Sequence, residues 1–296
     1  MNLNLLYPTK GTIIVHDIDN SEFEHMLILD RMNDLSDNDP LYPFAMDELL
    51  CKQVGKGGPA LCHLWRHPQS FIMGLRDSRL PYADKGREWI TSQGYQVAIR
   101  NSGGAAVPLD LGVVNISLIM PKHGLADTHF HRDFEKMYSL IQQALLHSSS
   151  RVDKGEIIGA YCPGDYDLSI HGRKFCGIAQ RRQAHAYIVQ AFVIVNGSGQ
   201  ERAHLVKGFY ERAAVHADAS QYPLVTDDST ASLAELIDMG VDPTATFVEA
   251  VKHVISDRQM LHNISTRANS LNIPQQEEVM KMVSTLRERY DSPSHE

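Results

Sequence analysis

The sequence predicts an α+β protein, a mixed sheet with flanking helices, on three observations. Short β-branched runs crowd the middle of the chain, one long amphipathic segment interrupts them at 127–147, and the reading turns helical from about Thr230. The 296 residues, 43% of them hydrophobic, suffice for one large domain with small appendages and a sizeable core.

Taken in order, "GTIIVHDI" (11–18) reads as a strand, followed by a polar, Asp-rich connection through Pro40 and Pro43. Over 43–54 a helix is predicted, because Phe44, Met46, Leu49, Leu50 and Val54 share one stripe and Pro43 stands at its start. "GKGGP" breaks it. "ALCHLWR", "SFIMGL" and "GYQVAIR" (94–100) read as strands, as does "VVNISLIMP" (113–121), which ends on a proline. The segment 127–147 is the best helix, with Phe130, Phe134, Met137, Ile141, Ala144 and Leu145 at three- and four-residue steps. "GEIIGAY", "DYDLSI", "RKFCGIAQRR" and "AYIVQAFVIVNG" add strands; "SLAELIDM", "TATFVEAVKHVI" and "QQEEVMKMVSTLRERY" add helices. Three units are expected: an N-terminal extension (1–42), a central domain (43–230) and a helical C-terminal segment (231–296).

Composition excludes several classes. The chain carries 28 basic and 36 acidic residues, a net charge of −8, which disfavours nucleic-acid and membrane-surface binding. No apolar run approaches the ~18–20 residues of a membrane span, and the N-terminus lacks the pattern of a signal peptide. The four cysteines contain no C-x-x-C pair, and no His/Cys spacing suits a metal. A cytoplasmic protein with free thiols and no metal is expected.

The stretch "CPGDYDLSIHGRKFCG" (162–177) places two cysteines and a lysine around a tight turn. With His171-Gly172 as a two-residue hairpin turn, Ile170 faces Arg173, Ser169 faces Lys174, and Asp167 faces Cys176. Alternation then puts Lys174 and Cys176 on one polar face, with the Asp167 carboxylate disfavouring a thiolate at Cys176. Cys162 precedes Pro163-Gly164 in a loop, where an exposed thiol is natural. An ammonium at ~4 Å can supply ~4 kcal/mol at an effective dielectric of ~20, against the ~2 kcal/mol needed to bring a thiol of pKa about 8.5 near neutrality. Lys174 reaches Cys162 only if Pro163-Gly164 folds the chain back over the hairpin. The residues alone leave both thiols in play.

A second constellation, "VAIRNSGGAAVPLDLGVVNISLIMP" (97–121), joins two strands through a Gly-rich turn. Arg100, Ser102, Gly103, Gly104, Ala106, Val107, Asp110, Gly112, Asn115 and Ser117 resemble the signature of the biotin/lipoate protein ligase and octanoyltransferase superfamily. "FAMDELL" (44–50) is similar to its early helix, and "GDYDLSIHGRKFCGIAQRR" (164–182) to its lysine-bearing strand pair. The resemblance spans about residues 40–230 and points to the octanoyl amidotransferase branch of lipoate assembly. It implies Cys162 and Lys174 as the catalytic pair, with Lys174 holding the thiolate. It also implies substrate binding by Arg100, Ser102, Gly103, Gly104, Ala105, Asp110 and Gly177, with backbone donors around 102–105 on the oxyanion. It implies no cofactor, since Asn101 and Ala105-Ala106-Val107-Pro108 depart from the adenylating ligases. The implied partners are an octanoylated glycine-cleavage H protein as donor, lipoyl domains of 2-oxoacid dehydrogenases as acceptor, and the octanoyl or lipoyl chain itself. Arg173, Arg181 and Arg182 are candidates for meeting acidic carriers. An acyl carrier protein as donor, an ATP-dependent lipoate ligase and a non-catalytic acyl-carrier sensor remain as alternatives.

Overall fold

The computed structural model describes residues 23–36, 38–122, 124, 130–257 and 271–291. The strand expected over 11–18 lies outside them. The larger sheet has seven strands in the order β1-β2-β6-β10-β9-β8-β7. These are β1 (Leu27–Arg31), β2 (Leu61–Trp65), β6 (Val113–Pro121), β7 (Asp153–Lys154), β8 (Leu168–Ile170), β9 (Arg173–Arg182) and β10 (Ala186–Ile194). The β1–β2 pair is parallel and the remainder antiparallel, so the sheet is mixed. A second sheet sets β3 (Gln69–Met73) between β4 (Gln96–Ile99) and β5 (Val107–Asp110).

Period-2 alternation decides which face each central strand gives to which layer. In β6, Val114, Ile116, Leu118 and Met120 join one core, with Met137, Leu140 and Ile141 of α3 (Phe130–Ala144) and Phe247 and Val251 of α6 (Pro243–Ser256). Val113 and Ile119 join the other, with Phe44, Met46 and Leu50 of α1 (Tyr42–Val54) and Val279 and Val283 of α7 (Gln276–Tyr290). The centre of the sheet is therefore covered on both sides, and β6 and β10 are buried almost throughout. On the α1 side one polar network is sealed in. Asp47 accepts from Ser117 Oγ at 2.6 Å and Gln190 Nε2 at 2.9 Å and lies 2.8 Å from His63 Nδ1. A buried carboxylate with each oxygen engaged locks the helix to three strands in one register.

Several elements differ from expectation. The Asp-rich connection contains β1. Two helices, α2 (Ala83–Ser92) and α4 (Gly199–Ala213), were not anticipated; they pack together where Gly86 and Gly208 admit the Phe209 and Trp89 rings. The expected strand "GEIIGAY" is a turn-rich connection, with Gly155 at φ 143° and Gly159 at φ 81°. "DYDLSI" is extended only at Leu168–Ile170. The short α5 (Leu233–Leu236) follows the sheet, and α6 and α7 pack on α3 and α1. No helix among the described residues is long and apolar enough to cross a membrane.

Candidate active site

The hairpin turn forms as its sequence dictates: His171 and Gly172 have φ of 52° and 74°, the left-handed pair that a two-residue connection needs. Ile170 pairs with Arg173 and Ser169 with Lys174, as expected. Beyond Lys174 a β-bulge shifts the ladder, and Leu168, not Asp167, pairs with Cys176. One extra residue reverses the facing of everything after it. Cys176 turns away from Lys174 into the core with Phe175, while Gly177 comes beside the lysine; a Cβ there would lie 3.4 Å from Lys174 Nζ. Burial, then the nearby Asp167 charge, pushes the Cys176 thiol far up. The bulge thus removes Cys176 as a nucleophile.

Lys174 points to the other thiol's loop. Its ammonium, 3% exposed, donates to Tyr161 O at 2.9 Å and Cys162 O at 2.6 Å and pairs with Asp167 Oδ2 at 2.8 Å. An ammonium has three donors, and these three acceptors occupy them. The two carbonyls bracket Cys162, whose backbone sits in the left-handed region at φ 48°. The required chain reversal is present: Asp167 N donates to Gly164 O at 3.0 Å, and Asp167 Oδ2 accepts from Gly164 N at 3.2 Å. Direct contact between lysine and thiol is the expectation that fails. Lys174 holds the peptide groups on either side of Cys162, and the cation on the sulfur is Arg100, whose Nη2 lies 3.2 Å from Sγ. The Ala105 N–H donates to the same sulfur at 3.2 Å.

The Gly-rich turn 101–106 is folded for this contact. Arg100 Nη2 donates to Ala105 O at 2.7 Å, and the Ala106 N–H donates to Tyr210 Oη, which donates to Asp77 at 2.9 Å. Gly104 has φ 101°, and a Cβ there would fall 2.4 Å from Arg100 Nη2 and 2.8 Å from Cys162 Sγ. Gly103 has open space around it. Arg100, Gly103, Gly104 and Gly177 line the same cavity as Cys162 and Lys174, with a volume of about 590 Å³. Ser102 is buried beside them without a hydrogen-bond partner for its hydroxyl. Asp110 is not in the site: it forms a two-pronged ion pair with Arg202 (2.7 and 2.8 Å) and lines a separate cleft with Tyr95 and Asn196.

The cavity runs from the thiol along β9 and β10, between Val113, Ile178, Phe192 and Ile194, to Phe130 and Phe134 of α3. Those two phenylalanines belong to the apolar stripe predicted for the helix core, yet Phe130 is exposed and Phe134 stacks on Tyr166 at 4.7 Å. Sequence reasoning missed the cavity wall because a stripe facing a cavity has the same period as one facing a core. Tyr161 was missed too; it is buried beside Cys162, and burial holds its hydroxyl above the usual tyrosine range. Arg181 is tied to Glu48 at 2.9 Å and Arg182 to Asp133, so neither is simply a free basic contact.

Two expectations follow. Overpacking costs about 1–3 kcal/mol, so Gly104→Ala should slow alkylation of Cys162 by roughly tenfold or more. Gly103→Ala, with room for its methyl, should leave that rate near wild type; equal effects would refute this geometry. For Asp167, burial outweighs the adjacent ammonium and pushes the carboxyl from 3.8 up to about 6. A carboxyl that holds its proton more tightly when folded adds stability that is complete below 3.8 and is lost as pH rises through about 6. Asp167→Asn should flatten the slope of Tm against pH in that window, and an unchanged slope would contradict the assignment.

The chain matches the family model described as the lipoyl protein ligase A/B catalytic domain over residues 39–256. It is 41% identical over 216 residues to an octanoyl-GcvH:protein N-octanoyltransferase of Exiguobacterium sibiricum, covering 72% of this chain and 78% of that protein. A lipoyl-GcvH:protein N-lipoyltransferase of Listeria monocytogenes is 36% identical over 229 residues, covering 74% and 80%. Among solved structures, lipoate-protein ligase A bound with ATP superposes with a TM-score of 0.59 at 16% identity, covering 91% of this chain and 95% of that one. A bipartite lipoate protein ligase from Thermoplasma acidophilum, studied with its E2 lipoyl domain, gives 0.59 at 19% identity, covering 91% and 92%. The bulged hairpin, the Gly-rich turn and the cavity between them are thus built on the fold of the lipoate ligases, and the chain belongs to the lipoyl protein ligase A/B catalytic domain family.

Proposed function

We propose that this protein is an acyltransferase that moves an octanoyl group from a lysine of the glycine-cleavage H protein to a lysine of a 2-oxoacid dehydrogenase lipoyl domain, through a thioester on Cys162. The catalytic unit reaches past the expected 43–230 on both sides, since β1 completes the main sheet and the family match covers 39–256, and the protein acts in the cytoplasm. The observation that carries the reading is the position of one accessible thiol, in contact with a guanidinium and a backbone N–H at the mouth of an apolar cavity. The curated relatives named for octanoyl transfer from GcvH supply the donor.

The chemistry follows from covalent catalysis. Cys162 Sγ, as the thiolate, attacks the octanoyl amide carbon; the C–N bond breaks, the donor lysine leaves as an amine after its nitrogen takes up a proton from solvent, and a thioester remains. The acceptor lysine, as a neutral amine, attacks that thioester, the C–S bond breaks, the nitrogen sheds its extra proton to solvent as the new amide forms, and the thiolate returns. One amide replaces another, so no nucleotide is needed to drive the exchange. The Ala105 N–H, which meets the sulfur in the resting state, is placed to follow the charge onto the carbonyl oxygen. Lys174 keeps the two peptide groups around Cys162 from moving during both attacks. The cavity anchors the chain: at ~0.8 kcal/mol per buried CH₂, eight carbons bind well without any polar contact. A volume of about 590 Å³ lies within the range of pockets for ligands of this size. Glu48 holds Asn101 Nδ2 at 2.7 Å, so the position that is often basic in adenylating ligases offers no cation here.

The test is intact mass after incubation with octanoyl-H-protein and no ATP. The expected product is a hydroxylamine-labile octanoyl adduct that is missing in Cys162→Ser. An adduct that persists in that variant would overturn the assignment, and transfer that requires ATP and free lipoate would favour a ligase.

A further inference from the structure

Arg100 is wholly buried, yet among the described residues no carboxylate lies within hydrogen-bond distance of its guanidinium. Nη2 divides its hydrogens between Ala105 O and Cys162 Sγ, while Nε and Nη1 have no hydrogen-bond partner. The guanidinium lies 5.0 Å from the centre of the Phe192 ring, which eases a cation's desolvation but does not balance its charge. Asp77 feels the Arg100 charge but makes its hydrogen bonds elsewhere: its carboxylate accepts from Gly74 N at 2.7 Å and Tyr210 Oη at 2.9 Å. Arginine does not give up its proton in proteins. A buried cation of fixed charge therefore needs an anion, and the group in contact with it that can become one is the Cys162 thiol.

The other cation at the site is differently placed. Lys174 is already neutralised by Asp167 at 2.8 Å, and its remaining donors are held by carbonyls. Among the described residues, the charged and titratable groups next to Cys162 are thus Arg100, the Lys174–Asp167 pair and the Tyr161 and Tyr210 hydroxyls, with Asp77 behind Tyr210. Of these, Arg100 alone brings a net positive charge to the sulfur.

We infer that Arg100 is the catalytic cation of the site, holding Cys162 as the thiolate, and that Lys174 is a positioning residue. The S–H bond breaks with the proton passing to solvent, and the sulfur carries its negative charge against the guanidinium before any bond to carbon forms. The Ala105 N–H shares that charge, and the bare Cα of Gly104 leaves Arg100 room to reach it. This rests on the thioester reading above and reassigns Arg100 from binding substrate to ionising the nucleophile. Arginine suits the role because its charge persists through every protonation state of the neighbouring amines, whereas a free lysine could exchange its proton with the leaving group.

The experiment measures iodoacetamide alkylation of Cys162 against pH, by mass, in the wild type, Arg100→Gln and Cys162→Ser, alongside octanoyl-adduct formation. Cys51, Cys62 and Cys176 do not compete, since burial pushes each of those thiols far up. In Arg100→Gln the midpoint should rise by about one unit or more, cutting the reactive fraction roughly tenfold at neutral pH, and adduct formation should recover toward alkaline pH. An unmoved midpoint sinks the inference. Should Arg100→Gln fail to fold, the wild-type protein decides: the Arg100 guanidinium ¹⁵N signals should titrate with the alkylation midpoint and stop doing so in Cys162→Ser. Signals that ignore that midpoint overturn the pairing. An adduct that persists in Cys162→Ser sinks the thioester reading itself, whereas an unmoved midpoint with the adduct still on Cys162 sinks only the role of Arg100.

Discussion

One buried ammonium holding two consecutive peptide carbonyls sets the geometry on which the site depends. Lys174 bonds to Tyr161 O and Cys162 O, and Asp167 balances its charge. A non-glycine residue in the left-handed region costs about 1–3 kcal/mol. Hydrogen bonds to a charged donor return about 1.5–3 kcal/mol each, so two of them exceed the strain at Cys162. The result is a thiol, the nucleophile proposed above, whose backbone conformation is fixed before substrate arrives and whose sulfur projects at a Gly-rich turn.

That fixation requires a lysine facing away from its neighbouring cysteine, and the β-bulge after Lys174 provides it. Without the bulge, Lys174 and Cys176 would share a face, and Cys176 would not be turned into the core. With it, Gly177 gives the lysine room and the charge is delivered across the sheet edge to the loop at 161–167. The Gly-rich turn supplies the other half of the site from a different sheet, tied down by Tyr210 and Asp77 from α4 and the segment after β3. The reacting sulfur sits where two independently stiffened loops meet, with the apolar cavity between them. This is the preorganisation that acyl transfer exploits, with the donors already aimed where charge develops.

Much of this was legible in the sequence. The His171-Gly172 turn, the reversal at Pro163-Gly164, the helix over 43–54 and the long strands β6 and β10 each follow from local chemistry, and the Gly-rich signature with the lysine hairpin pointed to the family. What escaped had physical causes. A bulge leaves no local mark in an alternating pattern, so Asp167 was set opposite Cys176. "GEIIGAY" alternates like a strand, but Gly155 and Gly159 adopt conformations that end extension. Helix α4 did carry a local signal, Ser198 capping the backbone of Glu201, which the sequence reading passed over. Asp110 fits the signature, yet its partner Arg202 lies 92 positions away and no spacing rule reveals it. For the same reason the contact of Arg100 with Cys162, 62 positions away, escaped the sequence reading.

The most direct measurement is a crystal structure of the protein trapped after acylation by an octanoylated donor. The account predicts a thioester on Cys162 with the alkyl chain lying in the cavity beside Ile178 and Phe192, and Lys174 still bonded to the carbonyls of Tyr161 and Cys162. An acyl group on any other side chain, or a chain lying outside that cavity with the lysine detached, would contradict it.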